Sequence, residues 1–151
     1  MLAWPCDLIV AADDARFSDP VARMGIGGVE YHGHAWEFGP RKAKELLFTG
    51  GYIDAAEAHR IGMVNRVVPR DELESAVMAL AKEIAQMHPH GVLAAKRAVN
   101  HALDAQGQHI ALQAAFELHS LGHANAWIVN GWPVLANLQQ MTEANKGMKR
   151  G

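Results

Sequence analysis

Between Glu30 and Glu37 the chain places two imidazoles, two carboxylates and a phenol close together, in the order Glu30, Tyr31, His32, Gly33, His34, Ala35, Trp36, Glu37. Histidines and a carboxylate that converge on one ion would make a metal site. The spacing argues against it. An H-x-H pair sets both rings on one side only in an extended segment, Gly33 between them points to a loop, and no further ligand spacing accompanies them. The segment reads as a pocket-lining or polar loop with no metal. Asp19 stands before Pro20, where a short polar side chain bonds nearby backbone, so it reads as a turn residue, with proton transfer as the alternative. Asp13 and Asp14 are like charges of the kind that raise a carboxyl pKa when close and dry, but beside a strand and Ala15 they read as an exposed hairpin turn. The other histidines (His59, His88, His90, His101, His109, His119, His123) lack ligand spacing and read as solvated helix positions or partly buried polar contacts.

The elements that position these groups are written in local signals. Asp7 to Ala12 has the length and β-branched content of a buried strand, with Cys6 beside it, buried and inert. Pro40 opens a helix whose Ala43, Leu46 and Leu47 share a face, and Gly50 and Gly51 stop it. Asp54 with Glu57 reads as a capping box for a short helix from Ala55 to Ile61, and Gly62 suits its left-handed cap. Alternation from Met63 to Val68 gives a brief strand ending at Pro69. Asp71 with Glu74 repeats the capping box ahead of an apolar stripe through Leu73, Val77, Leu80, Ile84 and Met87. Val92, Ala95, Val99 and Leu103 mark a further helix on which Lys96 and Arg97 face water. Another spans Ile110 to Leu121, and Pro133 opens a last one through Met141.

The wording of one stretch goes further than its physics. Leu46 to Pro69 reads LLFTGGYIDAAEAHRIGMVNRVVP, with "TG", then "I-D-A-x-E-A", then "G-x-V-N-R-V-V-P", and it closely resembles the enoyl-CoA hydratase/isomerase (crotonase) superfamily. Pro5 to Ala12, followed by Asp14 to Phe17, resembles the strand and hairpin before that family's active-site loop. The resemblance covers nearly all of this chain but only the second half of a family member. It implies an α/β, crotonase-like fold, present in part: residues 1–69 end the β/α core, and residues 70–151 form a helical region that roofs the pocket and serves oligomerisation.

The resemblance also implies chemistry. Two backbone N–H groups polarise an acyl-CoA thioester carbonyl, and two carboxylates activate and deliver water. Both donors and the first carboxylate belong to the preceding half. The second carboxylate belongs after the proline in Phe17, Ser18, Asp19, Pro20, Val21, Ala22, Arg23, Met24, Gly25, where this chain has Val21. The glycine loop that follows, Gly25 to Gly28, is shorter than the family's, and Glu30 becomes the candidate stand-in carboxylate. Asp19, Val21, Gly25, Gly28 and Glu30 are the expected pocket residues. The expectation is hydration of a 2-enoyl-CoA by the complete parent, with isomerisation or hydrolysis as alternatives. This chain is expected to be an inactive fragment, or else a non-catalytic interaction module.

Composition excludes other classes. A net charge of -2 gives no basic patch for nucleic acid. One cysteine makes no internal disulfide, and no stretch approaches the roughly 20 apolar residues of a membrane span, so a cytoplasmic protein is expected. No cofactor is expected beyond the coenzyme A of the substrate. The expected partners are an acyl-CoA and further copies of the chain, in a trimer or hexamer, with Trp127, Ile128 and Trp132 as interface anchors or else core. Lys146, Lys149 and Arg150 form a basic, solvated tail.

Overall fold

The computed structural model describes residues 3–28, 31–136, 139–140, 142–143 and 146. The chain forms two compact units, the first from Met1–Arg16 with Asp54–Ala111, the second from Phe17–Ile53 with Leu112–Gly151.

In the first unit, strand β1 (Val10–Ala12) pairs in parallel with a strand far along the chain, Arg66–Val68, with Val10 opposite Arg66 and Ala12 opposite Val68. Asn65 fixes the register by closing both ends of one rung. Its side-chain oxygen accepts from the Ile9 N–H at 2.7 Å, and its own N–H donates to the Ile9 carbonyl at 2.8 Å. The extended run is shorter than the sequence suggests, because Leu8 is exposed and Cys6, expected to be buried, is exposed too. Asp13 and Asp14 form the expected exposed turn, but it joins strands of different sheets: β1 pairs with Arg66–Val68, and β2 (Arg16–Ser18) pairs with β3 (Tyr52–Asp54). Arg70 grips Asp14 through Nε and a terminal nitrogen at 2.7 Å each, and that hydrogen bond holds the Asp14 carboxyl below the usual carboxylate range.

Helix α2 (Ala55–Arg60) starts where the sequence places it, with the Asp54 carboxylate accepting from the Glu57 N–H at 2.8 Å. The Glu57 carboxylate also grips Arg60, at 2.6 and 2.8 Å. Gly62 takes φ +87° and lets the chain reverse, so that Met63 and Val64 both donate to the Ala58 carbonyl. With Ala11, Ala12, Ala55 and Ala58, these two residues make the small core of this unit. The final strand of the first unit, β4, is Arg66–Val68 and omits the earlier residues of the alternating run, because Met63 and Val64 belong to the helix turn.

Helix α3 (Leu73–Ala85) is capped differently from the expectation. A 3-10 turn over Arg70–Glu72 precedes it, Glu72 occupies the cap position without a side-chain cap bond, and Asp71 serves no capping box. The α3 stripe is correct in period, but Val77 and Ile84 remain exposed. Helix α4 (Pro89–Ala105) begins at Pro89 and ends at the positive-φ Gly107. Lys96 on it pairs with Asp7 at 2.6 Å.

In the second unit, helix α1 runs over His34–Thr49 with a break at Gly39, whose φ of +71° and ψ of 161° are not helical. Pro40 therefore opens the long part as expected, and Gly50 at φ +60° ends it. The segment before the break is a helical turn starting at His34, where a loop was expected. Helix α5 (Gln108–Asn130) is longer than predicted and takes in Trp127 and Ile128. Residues 131–136 make bends instead of the first turn of a last helix, and Met141 lies outside the described residues. No helix among the described residues is long and apolar enough to cross a membrane.

Candidate functional site

The second unit brings Asp19, His32 and His34 together at one turn. Ser18 ends β2 with its hydroxyl donating to the Gly51 carbonyl at 2.8 Å, which aims the next residues inward. Asp19 is 8 % exposed, and its Oδ1 accepts from the Val21 N–H at 3.3 Å, the short-range bond expected of a residue before Pro20. That turn leads into a 3-10 turn over Val21–Met24, which Gly25 closes at φ +75°.

The other carboxylate oxygen does what the sequence did not disclose. Asp19 Oδ2 lies 2.9 Å from His34 Nε2, and His34 is 1 % exposed. The approach has the distance of an ion pair without the alignment of a full hydrogen bond. His34 arrives there because Gly33 is the N-cap of α1, so the ring belongs to the first helical turn.

His32 stacks on this pair, its ring centroid 4.3 Å from that of His34 at a tilt of 39°. Burial, and secondarily the His34 ring, hold its pKa below the ordinary histidine value, against an opposing pull from Asp19. Its Nδ1 is buried without a hydrogen-bond partner among the described residues. Burial raises the pKa of Glu37, and burial together with Glu37 raises that of Tyr31.

Gly28 meets the histidines from two sides. A Cβ there would come within 2.7 Å of His32 Nδ1, and its carbonyl accepts from His119 Nδ1 at 2.7 Å. His119 lies 4.6 Å from His123, ring centroid to ring centroid, nearly perpendicular, and His123 Nδ1 donates to the Pro133 carbonyl at 2.6 Å. The i, i+4 spacing of His119 and His123 on α5 was the available sequence signal for this pair.

The predicted pocket residues separate under this geometry. Asp19 joins the histidines. Val21 turns away from them into a small apolar cluster with Ile26, Met24 and Val134, where it neither accepts nor gives a proton. Gly25 lies under Leu135, whose side chain would meet a Cβ there at 2.5 Å. Gly28 is the histidine contact just described. Glu30 lies outside the described residues. Among the described residues no group of three or more histidine, cysteine, aspartate or glutamate side chains is set to hold a metal ion. The site sets a buried carboxylate beside two adjacent imidazoles, with His32 the half-buried member.

Short strands that precede a helical region, with a proline turn and a glycine loop leading into α1, define a partial crotonase-like α/β fold. Known proteins agree with that class. The chain belongs to the enoyl-CoA hydratase/isomerase family, whose sequence pattern it matches over residues 1–127. It is 51% identical over 132 residues to the candidate enoyl-CoA hydratase EchA13 of Mycobacterium tuberculosis, covering 87% of this chain and 42% of that protein. Its structure is similar to that of a probable enoyl-CoA hydratase from Mycobacterium smegmatis, with 63% identity, a TM-score of 0.87, and coverage of 90% of this chain and 55% of the other. An enoyl-CoA hydratase/isomerase from Xanthobacter autotrophicus is 32% identical with a TM-score of 0.77, and the match covers 99% of this chain and 52% of that one. The chain spans about half the length of these relatives.

Proposed function

We propose that this chain is the second half of a protein that acts on acyl-CoA thioesters, hydration of a 2-enoyl-CoA being the reaction. The observation that carries the reading is the 63% identity to a probable enoyl-CoA hydratase along 90% of the chain. Isomerisation or thioester hydrolysis by the same oxyanion-stabilising scaffold is the alternative within the family. Alone, the chain does not turn over substrate, because the oxyanion donors and the first carboxylate that the family resemblance implies belong to the half of its relatives that it does not span. The protein is cytoplasmic, assembles as a homotrimer or hexamer, and needs no cofactor besides the coenzyme A of its substrate.

The decisive experiment measures hydration of crotonyl-CoA by this chain and by a version extended upstream to the length of its relatives. The extended version is expected to turn over and the short one not. Turnover by the short chain would refute its inactivity. A second reading, a non-catalytic assembly module, draws on the apolar Val21 and on the exposure of Trp127, Ile128 and Trp132 at 55, 85 and 60%. It gains if neither version turns over while both assemble.

A further inference from the structure

We propose that Asn130 is a self-modifying position: the Gly131 backbone nitrogen attacks its carboxamide, and the aspartate or isoaspartate that results loosens the clasp folding residues 131–136 onto the Val21 to Gly25 turn. The proposal stands on the chain's own residues and does not rest on the acyl-CoA reading.

The sequence supplies the reacting pair. Six asparagines occur in the chain, and Asn130 is the one followed by glycine. Each of the others precedes a residue whose Cβ restricts the backbone at the attacking nitrogen. Gly131 stands at φ +68°, in the region that glycine enters freely, and a Cβ built there would meet nothing within 4 Å. Asn130 is exposed at the end of α5, so water reaches the pair.

The structure poises the two groups. The Asn130 carboxamide is bonded at both ends: Oδ1 accepts from the Trp132 N–H at 3.1 Å, and Nδ2 donates to the Val134 carbonyl at 3.0 Å. The first bond closes a side-chain turn around Gly131 and keeps a donor on the oxygen where negative charge develops when Cγ is attacked. The Gly131 N–H itself donates to the Trp127 carbonyl at 3.0 Å, a bond at the end of α5. Bonds at a helix end open at low cost, so fraying releases the nucleophile without unfolding the chain.

The step balances with water as the co-reactant. Solvent hydroxide removes the Gly131 amide proton and the nitrogen bonds to Cγ. The Cγ–Nδ2 bond then breaks, and Nδ2 takes a proton from water and leaves as ammonia. Water adds to either carbonyl of the cyclic imide, which opens to aspartate or isoaspartate. An oxygen now stands where a nitrogen donated to the Val134 carbonyl, and two acceptors face each other.

The clasp governs how residues 131–136 approach the turn. Leu135 donates its N–H to the Met24 carbonyl at 2.9 Å and lies over Gly25, while Val134 packs against the cluster of Val21 and Ile26. His123 adds a second tie at the Pro133 carbonyl, so the modification loosens the segment and does not detach it.

The test incubates the full chain and its upstream-extended version at neutral pH and follows each asparagine peptide by mass. A gain of one mass unit is expected at Asn130, about tenfold or more faster than at Asn65, Asn100 and Asn125. An Asn130 that stays an amide in the folded chain while it converts in urea would overturn the site, as would conversion no faster than at the other three. Asn130→Asp then installs the product's charge. Protection of the Leu135 amide from hydrogen exchange is expected to fall about tenfold in that variant, the equivalent of one lost hydrogen bond. Unchanged protection overturns the clasp. Should the variant not fold, the same amide in the aged wild-type chain decides by the same criterion.

Discussion

Asp19 and His34 are both buried and lie 2.9 Å apart, and the two are unequal in what their loss leaves behind. Replacing His34 with alanine strands a carboxylate beside a new cavity. The expected cost is about 3 kcal/mol or more, the penalty for leaving a buried carboxylate without its neighbour. Asp19→Asn keeps an oxygen for the Val21 N–H and a polar group beside the imidazole, so about 1–2 kcal/mol is expected. Urea midpoints measure both, and the reverse order would show that the carboxylate is not the stranded charge. Val21 gives a second prediction. Glutamate there restores the side chain that the family resemblance implies, but it places a carboxylate against Ile26, Met24 and Val134. The variant should lose about 2 kcal/mol or more, and the chain alone should still fail to hydrate crotonyl-CoA. An unchanged melting temperature would show that the cluster opens easily to solvent.

At the scale of elements, signals that concern one residue's backbone were legible and signals that need a distant partner were not. Pro40, Gly50, Asp54 and Gly62 each meet a local requirement, a spare N–H or a positive φ, and each sits where its type predicts. The Asp71 cap failed because a 3-10 turn starting at Arg70 takes up the residues that a capping box would need. The His32 and His34 stack was missed because alternation was weighed only for an extended chain, whereas Gly33 hands His34 to a helical turn. Nothing in the sequence alone pairs His34 with Asp19. The resemblance supplied the family, and Val21 in place of the expected carboxylate was readable at once; that Val21 is locked in an apolar cluster was not. Two substitutions test the local signals. Gly39 occupies a φ of +71° with ψ of 161° and has open space around it, so Gly39→Ala isolates backbone strain, expected at about 1–3 kcal/mol by thermal denaturation. A cost near zero would mean the break relaxes into continuous helix. Asp54→Ala removes the one side-chain cap on α2 and should cost about 1 kcal/mol by the same measurement.

For the whole molecule, the helices present more apolar surface than the described residues cover. Leu118, Leu121 and Ile128 on α5 are 62, 69 and 85% exposed, and Val99 on α4 is 61% exposed. Isolated exposed leucines are ordinary, but repeated exposure along one 23-residue helix with a single fully buried residue, Ala126, is not what a lone chain in water keeps. Two arrangements cover such a surface: the rest of a longer chain or further copies of this one. They differ in what the 151-residue chain does by itself. If copies cover it, sedimentation at micromolar concentration gives a discrete assembly, and Leu121→Asp with Ile128→Asp shifts that assembly toward monomer without lowering the helix content. If the relatives' other half covers it, the isolated chain aggregates without a fixed size and the upstream-extended version does not. A monodisperse monomer that melts cooperatively would contradict both, and would mean that these side chains tolerate water better than their area implies.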